Sequence, residues 1–483
     1  MPSPQVESLD ARFQRSQQTL LSRDQAHVLA WWDDLDAQQR DQLLSNIESI
    51  DWDVVDPLID SHVKRSPELK VPTPLDPAPS FRKATFPADN PNLCAKAKEV
   101  GTEFVRAGKL AAFVVAGGQG TRLGFDGPKG AVPVTPVKEK SLFQLFAEML
   151  LAAGDRFGVA IPWYIMTSRT NHDATIDFFR QHQFFGLQEN DVFFFSQGML
   201  PAFDRQGKLL LAEKHLIAMA PDGHGGSLKA LYNSGALADM RRRGIECISY
   251  FQVDNPLVMP VDALFVGLHR TEGAEMSCKV SPKTDDLERV GNVCLSNGRV
   301  HVVEYSDFPE SLAQRRNEDG SRTYDSGNLA MHLIDVQFIE RIVGEGVDLI
   351  HHRADKATPF LNASGEIETP SDGEKNSVKL EKFVFDALPL AENVVLLEIE
   401  RAEEFSPVKA AAGTDSKETS IRDQVRRAAN WLESAGVAIP RNASGEPDAT
   451  LEIAPRFASS AEDVQDKDAQ LPLVEPGSVI YLD

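Results

Sequence analysis

Cysteine is scarce in this chain of 483 residues, which contains only four. None of them has the C-x-x-C spacing that is common in zinc sites and in redox-active disulfides. A disulfide framework would also need the oxidising surroundings of a secreted protein. We therefore expect free, buried thiols in a reducing compartment at Cys94, Cys247, Cys278 and Cys294.

Long apolar runs and basic charge are also lacking. No run approaches the ~20 apolar residues of a membrane-spanning helix, and the N-terminus lacks the basic and apolar segments of a signal peptide. Acidic residues outnumber basic ones by 72 to 50, which gives a net charge of −22. Such a field repels phosphate polymers and anionic membranes. The sequence thus predicts a cytoplasmic protein with no nucleic-acid or membrane partner, in which a phosphorylated small substrate needs a locally basic pocket.

The length is too great for one ordinary core and indicates two or three domains. Residues 1–90 combine helical patterns with a proline-rich connector, and we assign them to an N-terminal helical domain. Over residues 91–401, apolar strand-like runs alternate with helical stretches. This alternation indicates an α/β fold with a doubly wound sheet, whose ligands bind at the carboxyl ends of the strands. The composition then shifts toward Ala, Glu, Asp and Ser, so we place a small C-terminal domain at residues 402–483.

Three local patterns lead to further expectations. Asn297-Gly298, between two alternating segments, predicts a β-hairpin that is inserted over the site. The stretch 228–243 is helical in pattern. The pair His351-His352 has no further partner at metal-ligand spacing, so we expect both rings at the surface.

The richest local signal is the segment 114–130, VVAGGQGTRLGFDGPKG, which overlaps the end of an apolar run at Leu110–Val115. Its glycines let the backbone approach a ligand closely and offer N–H groups to an anion. Its only basic side chains, Arg122 and Lys129, supply a guanidinium fork and a point charge for phosphate oxygens. We interpret the segment as a nucleoside triphosphate loop, and the alternative is a glycine-rich turn without a ligand.

Two better-known glycine loops do not fit this segment. A Walker A loop needs Gly-Lys followed by Ser or Thr, whereas Lys129 lies between Pro128 and Gly130. A dinucleotide fingerprint runs directly into a helix, whereas here the next helix signal is a capping box of Ser141 and Gln144. A dehydrogenase interpretation therefore lacks its fingerprint.

Polar residues at strand ends and in turns are further candidates. Asp254 follows an apolar strand, where a carboxylate can hold Mg²⁺ together with substrate phosphates. The amide of Gln197 could pair with a uracil edge, and Glu304 and Asn328 could bind sugar hydroxyls. The glycine-rich loop 219–227 suits main-chain contacts to a base or a sugar. For each of them the alternative is an ordinary turn or a structural hydrogen bond.

These motifs together resemble the UDP-N-acetylglucosamine pyrophosphorylases, which belong to the wider UDP-sugar pyrophosphorylase group. The resemblance rests on VAGGQGTRLG and PKG in the loop. It continues through YIMTS, SQGMLPA, MAPDG-x-GG, VDN, VVEYSD, DSGNLAMH, KLEKFVFD and EEFSPVK, in the order of the family. It implies a Rossmann-like nucleotidyltransferase core with a doubly wound mixed sheet and small N- and C-terminal domains. It also implies that UTP and N-acetylglucosamine 1-phosphate give UDP-N-acetylglucosamine and pyrophosphate, with Mg²⁺ or Mn²⁺ as cofactor.

The resemblance also implies a role for individual positions. Uridine recognition falls on Ala116, Gly117, Gly118, Gln197 and Gly223. Phosphate binding and catalysis fall on Arg122, Lys129 and Lys409, and metal ligation on Asp254. The sugar falls to His224, Gly291, Glu304, Asn328 and Phe383.

Position 224 departs from the family pattern, which has an asparagine that contacts the sugar. Histidine can donate and accept hydrogen bonds as an amide does, but it is larger and can become charged. N-acetylglucosamine 1-phosphate is the expected sugar substrate, with N-acetylgalactosamine or an unacetylated hexose as alternatives. A broader UDP-sugar pyrophosphorylase is therefore one alternative function. An inactive UDP-sugar-binding sensor is another, although it would not need all of the charged residues.

Overall fold

The computed structural model describes residues 7–67, 71–467 and 471–483. Helices and strands alternate along most of the chain. The helices are α1 (Leu9–Leu21), α2 (Ala37–Glu48), α3 (Trp52–Leu58), α4 (Phe86–Asp89), α5 (Pro91–Arg106), α6 (Leu142–Phe157), α7 (His172–Gln181), α8 (Ser227–Asn233), α9 (Ala236–Arg243), α10 (Ala263–Thr271), α11 (Glu310–Ala313), α12 (Val336–Gly344), α13 (Arg401–Glu404), α14 (Lys417–Ser434) and α15 (Ala461–Gln465).

The strands are short, and most of the longer ones are buried. They are β1 (Asp76–Pro77), β2 (Phe81–Arg82), β3 (Leu110–Val115), β4 (Trp163–Thr167), β5 (Val192–Ser196), β6 (Met199–Pro201), β7 (Leu211–Glu213), β8 (Leu216–Ile217), β9 (Met219–Pro221), β10 (Cys247–Gln252), β11 (Met276–Pro282), β12 (Asn292–Ser296), β13 (Arg299–Val303), β14 (Ser326–Asp335), β15 (His351–Lys356), β16 (Phe360–Leu361), β17 (Ile367–Glu368), β18 (Ser377–Lys382), β19 (Val394–Glu398), β20 (Ala449–Ile453) and β21 (Ser478–Leu482).

The chain divides into two compact units, of which the smaller joins three separate segments. These segments are Met1–Lys70, Gly198–Gly226 and Leu349–Val384. Helices α1 to α3 pack against the antiparallel strand pairs β6–β9, β7–β8 and β15–β18. Their shared core includes Leu43 and Phe203, which are fully buried. The first helices therefore obtain their core from strands far along the chain.

The larger unit contains the segments Val71–Gln197, Ser227–Asp348 and Phe385–Asp483 and is built on a mixed sheet. The main strand order is β2-β19-β11-β14-β10-β3-β4-β5. Strands β10, β3, β4 and β5 are parallel, whereas β14 is antiparallel to both β10 and β11. The chain runs outward from β3 to β5 and then returns to place β10 on the other side of β3. The carboxyl ends of β3 and β10 therefore form a topological switch point, where ligands bind in such sheets.

Glycine allows two helices of this unit to pack very closely. A Cβ atom at Gly101 in α5 would lie 1.8 Å from the carbonyl oxygen of Ala263, and one at Gly267 in α10 would lie 1.6 Å from that of Ala97. Any larger residue would therefore force the two backbones apart.

Several local expectations are confirmed. The hairpin at Asn297-Gly298 joins the antiparallel strands β12 and β13, and all four cysteines are free and buried. Within the described segments, no helix combines the length and the apolar composition needed to cross a membrane. The three-part domain division at residues 90 and 402 stays a prediction.

Two expectations are wrong in detail. The helical stretch 228–243 is two helices, α8 and α9, because the chain adopts a left-handed conformation at Gly235 (φ +82°) between them. The expected capping box is only half formed. Ser141 accepts a hydrogen bond from the Gln144 N–H, but the Gln144 side chain donates to Glu148 instead.

Candidate active site

The glycine loop begins where β3 ends and is held by an asparagine that the sequence analysis did not single out. Asn171 is buried, and its Nδ2 donates to the carbonyl oxygens of Ala116 at 2.9 Å and Gly118 at 3.1 Å. Its Oδ1 accepts from the N–H of Ser168 at 2.8 Å. The signal for this role was an asparagine between a strand and the helix α7. Asn171 therefore fixes the path of the backbone that the resemblance assigns to uridine.

Further along, the loop folds back on itself. The Lys129 N–H donates to the Gly118 carbonyl at 3.0 Å, and the Gly120 N–H donates to the Gly127 carbonyl at 2.9 Å. A Cβ atom at Gly130 would lie 2.2 Å from the ring of Phe143. Glycine at position 130 is therefore required by the packing of the loop against α6.

Two oppositely charged side chains meet at the switch point. Lys129 Nζ lies 3.4 Å from Asp254 Oδ2, and both side chains are mostly buried. Asp254 follows β10, which pairs in parallel with β3, the strand before the loop. The structure thus brings together the residues that the sequence assigns to phosphate and to metal.

The other two cationic candidates are exposed. The Arg122 side chain has no ion-pair or hydrogen-bond partner among the described residues, so its guanidinium is available to an anion. Lys409 lies near Asp415, with 3.8 Å between Nζ and the carboxylate. Its preceding residue Val408 donates its N–H to the Asp254 carbonyl at 2.8 Å. The segment that carries Lys409 is therefore bonded to the turn that carries Asp254.

Asn255 strengthens this connection and was also missed by the sequence analysis. Its side chain is buried and forms hydrogen bonds with the segment before Lys409. Nδ2 donates to the Glu404 carbonyl at 2.7 Å, and Oδ1 accepts from the Ser406 N–H at 3.0 Å. Oδ1 also accepts from the Leu257 N–H at 3.2 Å. One amide thus positions both sides of the Asp254 turn.

A cluster of buried charges lies behind this segment. Lys279 and Lys83 both pair with Asp262 and Glu404. Burial raises the pKa of the Asp262 carboxyl, but the two ammonium groups outweigh this effect and hold the pKa below its usual value. These ion pairs fix Glu404, whose carbonyl accepts from Asn255.

The uracil candidate lies beside the loop. Gln197 follows β5, and its N–H donates to the Thr167 carbonyl at 2.8 Å. A Cβ atom at Gly117 would lie 3.0 Å from Gln197 Oε1. Glycine at position 117 therefore leaves room for this amide next to the loop backbone.

The structure also brings together three sugar candidates: Gly291 just before β12, Glu304 just after β13, and Asn328 on β14. The Asn328 N–H donates to the Gly291 carbonyl at 2.8 Å. A Cβ atom at Gly291 would lie 3.3 Å from Glu304 Oε1 and 3.8 Å from Asn328 Cβ. A carboxylate, an amide and an open backbone position are thus adjacent, as the binding of a polyhydroxylated ring requires.

Gly223, His224 and Phe383 lie together in the smaller unit. A Cβ atom at Gly223 would lie 2.4 Å from the Lys382 carbonyl oxygen. The His224 ring stacks on Phe383 with 5.2 Å between centroids, and its Nδ1 accepts from the Val384 N–H at 3.1 Å. Burial, and to a smaller extent the nearby His352, lowers the pKa of His224 to about 4. The ring is therefore neutral near pH 7, with its proton on Nε2.

The expectation that His351 and His352 lie at the surface is wrong. His351 is buried, and the His352 ring stacks on the other candidate ring, Phe383, with 4.3 Å between centroids. Both residues belong to β15, which pairs with β18 just before Phe383. Only this strand pairing, which has no local signal, brings the rings together.

This chain is similar to known proteins over most of its length. A family model described as UTP–glucose-1-phosphate uridylyltransferase matches residues 45–414. The UDP-N-acetylhexosamine pyrophosphorylase-like protein 1 of Homo sapiens is 35% identical over 498 residues, which cover 96% of each chain. The UDP-N-acetylglucosamine pyrophosphorylase of Saccharomyces cerevisiae is 33% identical over 453 residues, covering 88% of this chain and 92% of its own.

A solved structure shares the fold. The UDP-N-acetylglucosamine pyrophosphorylase of Trypanosoma brucei superposes with a TM-score of 0.82 and covers 99% of both chains, at 23% identity. The predicted α/β fold and the resemblance to this group are thereby confirmed. The individual roles assigned to the site residues stay predictions.

Proposed function

This chain belongs to the UTP–glucose-1-phosphate uridylyltransferase family, and we propose that it makes UDP-N-acetylglucosamine and pyrophosphate from UTP and N-acetylglucosamine 1-phosphate. The names of its relatives support the reaction and the amino sugar. The proposal rests most directly on the ion pair of Lys129 and Asp254 at the switch point. This pair offers a cation to the phosphates and a carboxylate to a metal at the place where the sheet binds ligands.

The chemistry demands little beyond position and charge. An oxygen of the sugar phosphate forms a bond to the α-phosphorus of UTP, while the bond from that phosphorus to the bridging oxygen breaks. The electron pair leaves with pyrophosphate. Because the attacking oxygen is already anionic, no general base is needed, and catalysis comes from alignment and from the neutralisation of charge.

Three cations have the roles that this reaction needs. Lys129 binds the triphosphate and stabilises the leaving pyrophosphate, and the exposed guanidinium of Arg122 assists it. Lys409 approaches the phosphates from the segment bonded to the Asp254 turn. The hydrogen bonds of Asn171 hold the loop backbone rigid, so these charges need little reorganisation.

Asp254 fits a site for Mg²⁺ or Mn²⁺. Its carboxylate is a hard oxygen ligand beside a phosphate-binding lysine, and Mg²⁺ in such sites takes one or two carboxylates together with substrate phosphates. When bound, the cation neutralises charge on the phosphate oxygens. Asp254 would then exchange its contact with Lys129 for the metal, which leaves the lysine for the phosphates.

The identity of the sugar 1-phosphate has two candidates. Gly291, Glu304 and Asn328 support an amino sugar because they are adjacent and half-buried or buried. His224 favours a second candidate, a related enzyme that accepts N-acetylgalactosamine or an unacetylated hexose 1-phosphate. A neutral ring with its proton on Nε2 presents a donor where the family has an amide.

The test is pyrophosphate release from UTP and Mg²⁺ with a panel of hexose 1-phosphates. We expect N-acetylglucosamine 1-phosphate to give the highest kcat/KM. A preference for another sugar would select the second candidate. No release with any sugar, despite tight UDP-sugar binding, would contradict both and favour the inactive sensor.

Two variants test the ion pair of Lys129 and Asp254, on which the proposal rests. Lys129→Ala should lower kcat by about a hundredfold or more, as the loss of a single charge-stabilising donor does elsewhere. Asp254→Asn should raise the Mg²⁺ concentration needed for half-maximal rate. Lys96→Ala removes an exposed lysine on α5 and is the matched control. Full activity of Lys129→Ala would remove the loop from its assigned role.

A cytoplasmic location is part of the proposal. Its support is that the four cysteines are buried and free, as thiols are in a reducing compartment. Fractionation of cells tests it, and recovery of the protein outside the cytoplasm would contradict it.

A further inference from the structure

The larger unit contains a cavity of about 470 Å³ to which no role has been given. It is lined by α5, α6, the segment Leu257–Leu264, α14 and β20. None of the residues assigned to the candidate active site lines it. Its volume lies within the range of small-molecule sites, about 300–1,000 Å³.

Most of the wall is apolar. Helix α6 contributes Leu145, Met149 and Phe157, and the opposite wall has Val258, Leu264 and Trp431. These side chains would bury a hydrophobic body of a ligand, at a gain of about 25 cal/mol for each Å² removed from water.

Most of the charged groups in the wall already have partners. Lys83 pairs with Asp262, and Arg156 pairs with Asp463. The carboxylate of Glu452 accepts the N–H groups of residues 137 and 138 at 2.7 and 2.8 Å. Lys98 and Glu462 also line the cavity, but both are exposed.

Arg427 is the exception, because its guanidinium has main-chain carbonyls and the Trp431 ring, at 5.0 Å from the ring centroid, as neighbours but makes no direct ion pair. Its Nη1 donates to the main-chain carbonyls of Glu403 at 3.0 Å and Leu257 at 3.4 Å. Among the described residues, no carboxylate lies within ion-pair distance, and Nε and Nη2 have no hydrogen-bond partner. Burial lowers the pKa of this guanidinium to about 10, against the opposing effect of Glu403 and Glu404. A half-buried cation that makes no direct ion pair is costly, since buried charges are normally paired.

We propose that this cavity binds an amphipathic anion, a small molecule with an apolar body and one carboxylate or phosphate group. The anionic group pairs with Nε and Nη2 of Arg427, a fork whose geometry suits two oxygens of a carboxylate or phosphate. The apolar body lies against α6 and Trp431. Sugars are poor ligands here, because the apolar wall does not satisfy their hydroxyl groups.

The cavity is connected to the candidate active site through a short path. Arg427 donates to the Leu257 carbonyl, and the Leu257 N–H donates to the side chain of Asn255, the residue after Asp254. A ligand that draws Arg427 toward itself acts on this turn. This coupling between the cavity and the candidate active site rests on the proposed function. Thermodynamic linkage requires that Mg²⁺·UTP and the anion alter each other's affinity by the same factor.

The experiment measures binding of three probes to the full chain by calorimetry, without any substrate. Octanoate and octyl phosphate carry the anion, and octanol carries the same apolar body without it. We expect saturable binding at one site for at least one of the anions, and binding at least about tenfold weaker for octanol, as the loss of a charge-assisted hydrogen bond predicts. A preference between the two anions shows whether a carboxylate or a phosphate pairs better with the Arg427 guanidinium.

Three variants complete the experiment. Arg427→Gln should weaken anion binding about tenfold, whereas Arg422→Gln, an exposed position on the same helix, should leave it unchanged. Ala153→Trp fills the cavity and should abolish binding. Circular dichroism establishes folding, and if Ala153→Trp fails to fold, the two arginine variants and octanol decide the question.

Three results would overturn the proposal: unchanged affinity in Arg427→Gln, equal binding of octanol and the anions, or equal losses in the two arginine variants. Because no turnover is measured, these results are independent of the proposed reaction.

Discussion

His224 should make the protein sensitive to acid, and His224→Asn should remove that sensitivity. The neutral ring accepts a hydrogen bond at Nδ1 from the Val384 N–H and stacks on Phe383. Protonation of Nδ1 would break this bond and place a positive charge in a half-buried stack that also contains His352. Asparagine can still accept the Val384 N–H through its Oδ1, but it does not titrate.

The size of the effect follows from the two pKa values. The pKa of His224 is about 4 in the folded protein, against an ordinary value of 6.5. Between these pH values the unfolded chain binds a proton that the folded protein does not. The contribution of neutral His224 to the free energy of unfolding is therefore fully present above about pH 6.5 and falls as the pH decreases toward 4. At 1.4 kcal/mol for each pKa unit, the loss at pH 5 relative to pH 7.5 is about 2 kcal/mol.

The measurement is urea unfolding of the wild type and His224→Asn at both pH values, followed by tryptophan fluorescence. The variant should lose about 2 kcal/mol less on acidification than the wild type does. His182→Asn, which replaces an exposed histidine, is the matched control and should behave as the wild type. Equal acid sensitivity of His224→Asn and the wild type would refute the argument, because the titrating group would then lie elsewhere.

Three further substitutions test the supports of the candidate site. Gly130→Ala places a methyl group against Phe143 and should destabilise the protein by about 1–3 kcal/mol, measured by urea unfolding. Asn171→Ala removes two hydrogen bonds to the loop and should lower kcat/KM for UTP about tenfold or more in the pyrophosphate assay; an unchanged value would mean that the loop holds its path alone. Lys279→Met leaves two buried carboxylates with one lysine and should cost about 3–5 kcal/mol in thermal unfolding, and an unaltered melting temperature would contradict the ion-pair cluster.

The sequence predicted those parts of the fold that depend on local chemistry. Asn297-Gly298 defines a two-residue turn because both positions favour a positive φ, and the structure has φ values of 49° and 76° there. The apolar runs that became β3, β4 and β10 were visible because strands covered on both faces are almost continuously apolar. Gly130 and Lys129 were visible because a phosphate loop needs glycine and a cation.

Contacts between distant segments had no such signal. Nothing local indicates that α1 to α3 share a core with strands from residues 198–226 and 349–384. For the same reason, the stack of His352 on Phe383 was missed, and a patternless histidine pair was placed at the surface. Asn171 and Asn255 were missed because an asparagine that bonds the backbone looks, in sequence, like any turn residue.

The ion pair of Lys129 and Asp254 depends both on local sequence signals and on a contact between distant segments. Each residue lies after its own strand and could be recognised alone, but only the parallel pairing of β3 and β10 sets 3.4 Å between their charges. A triphosphate accompanied by a divalent cation offers each of them a stronger partner of opposite sign. In the proposed reaction the site would therefore exchange an internal ion pair for two external ones, so the carboxylate and the lysine should favour a metal-bound triphosphate over the same triphosphate alone.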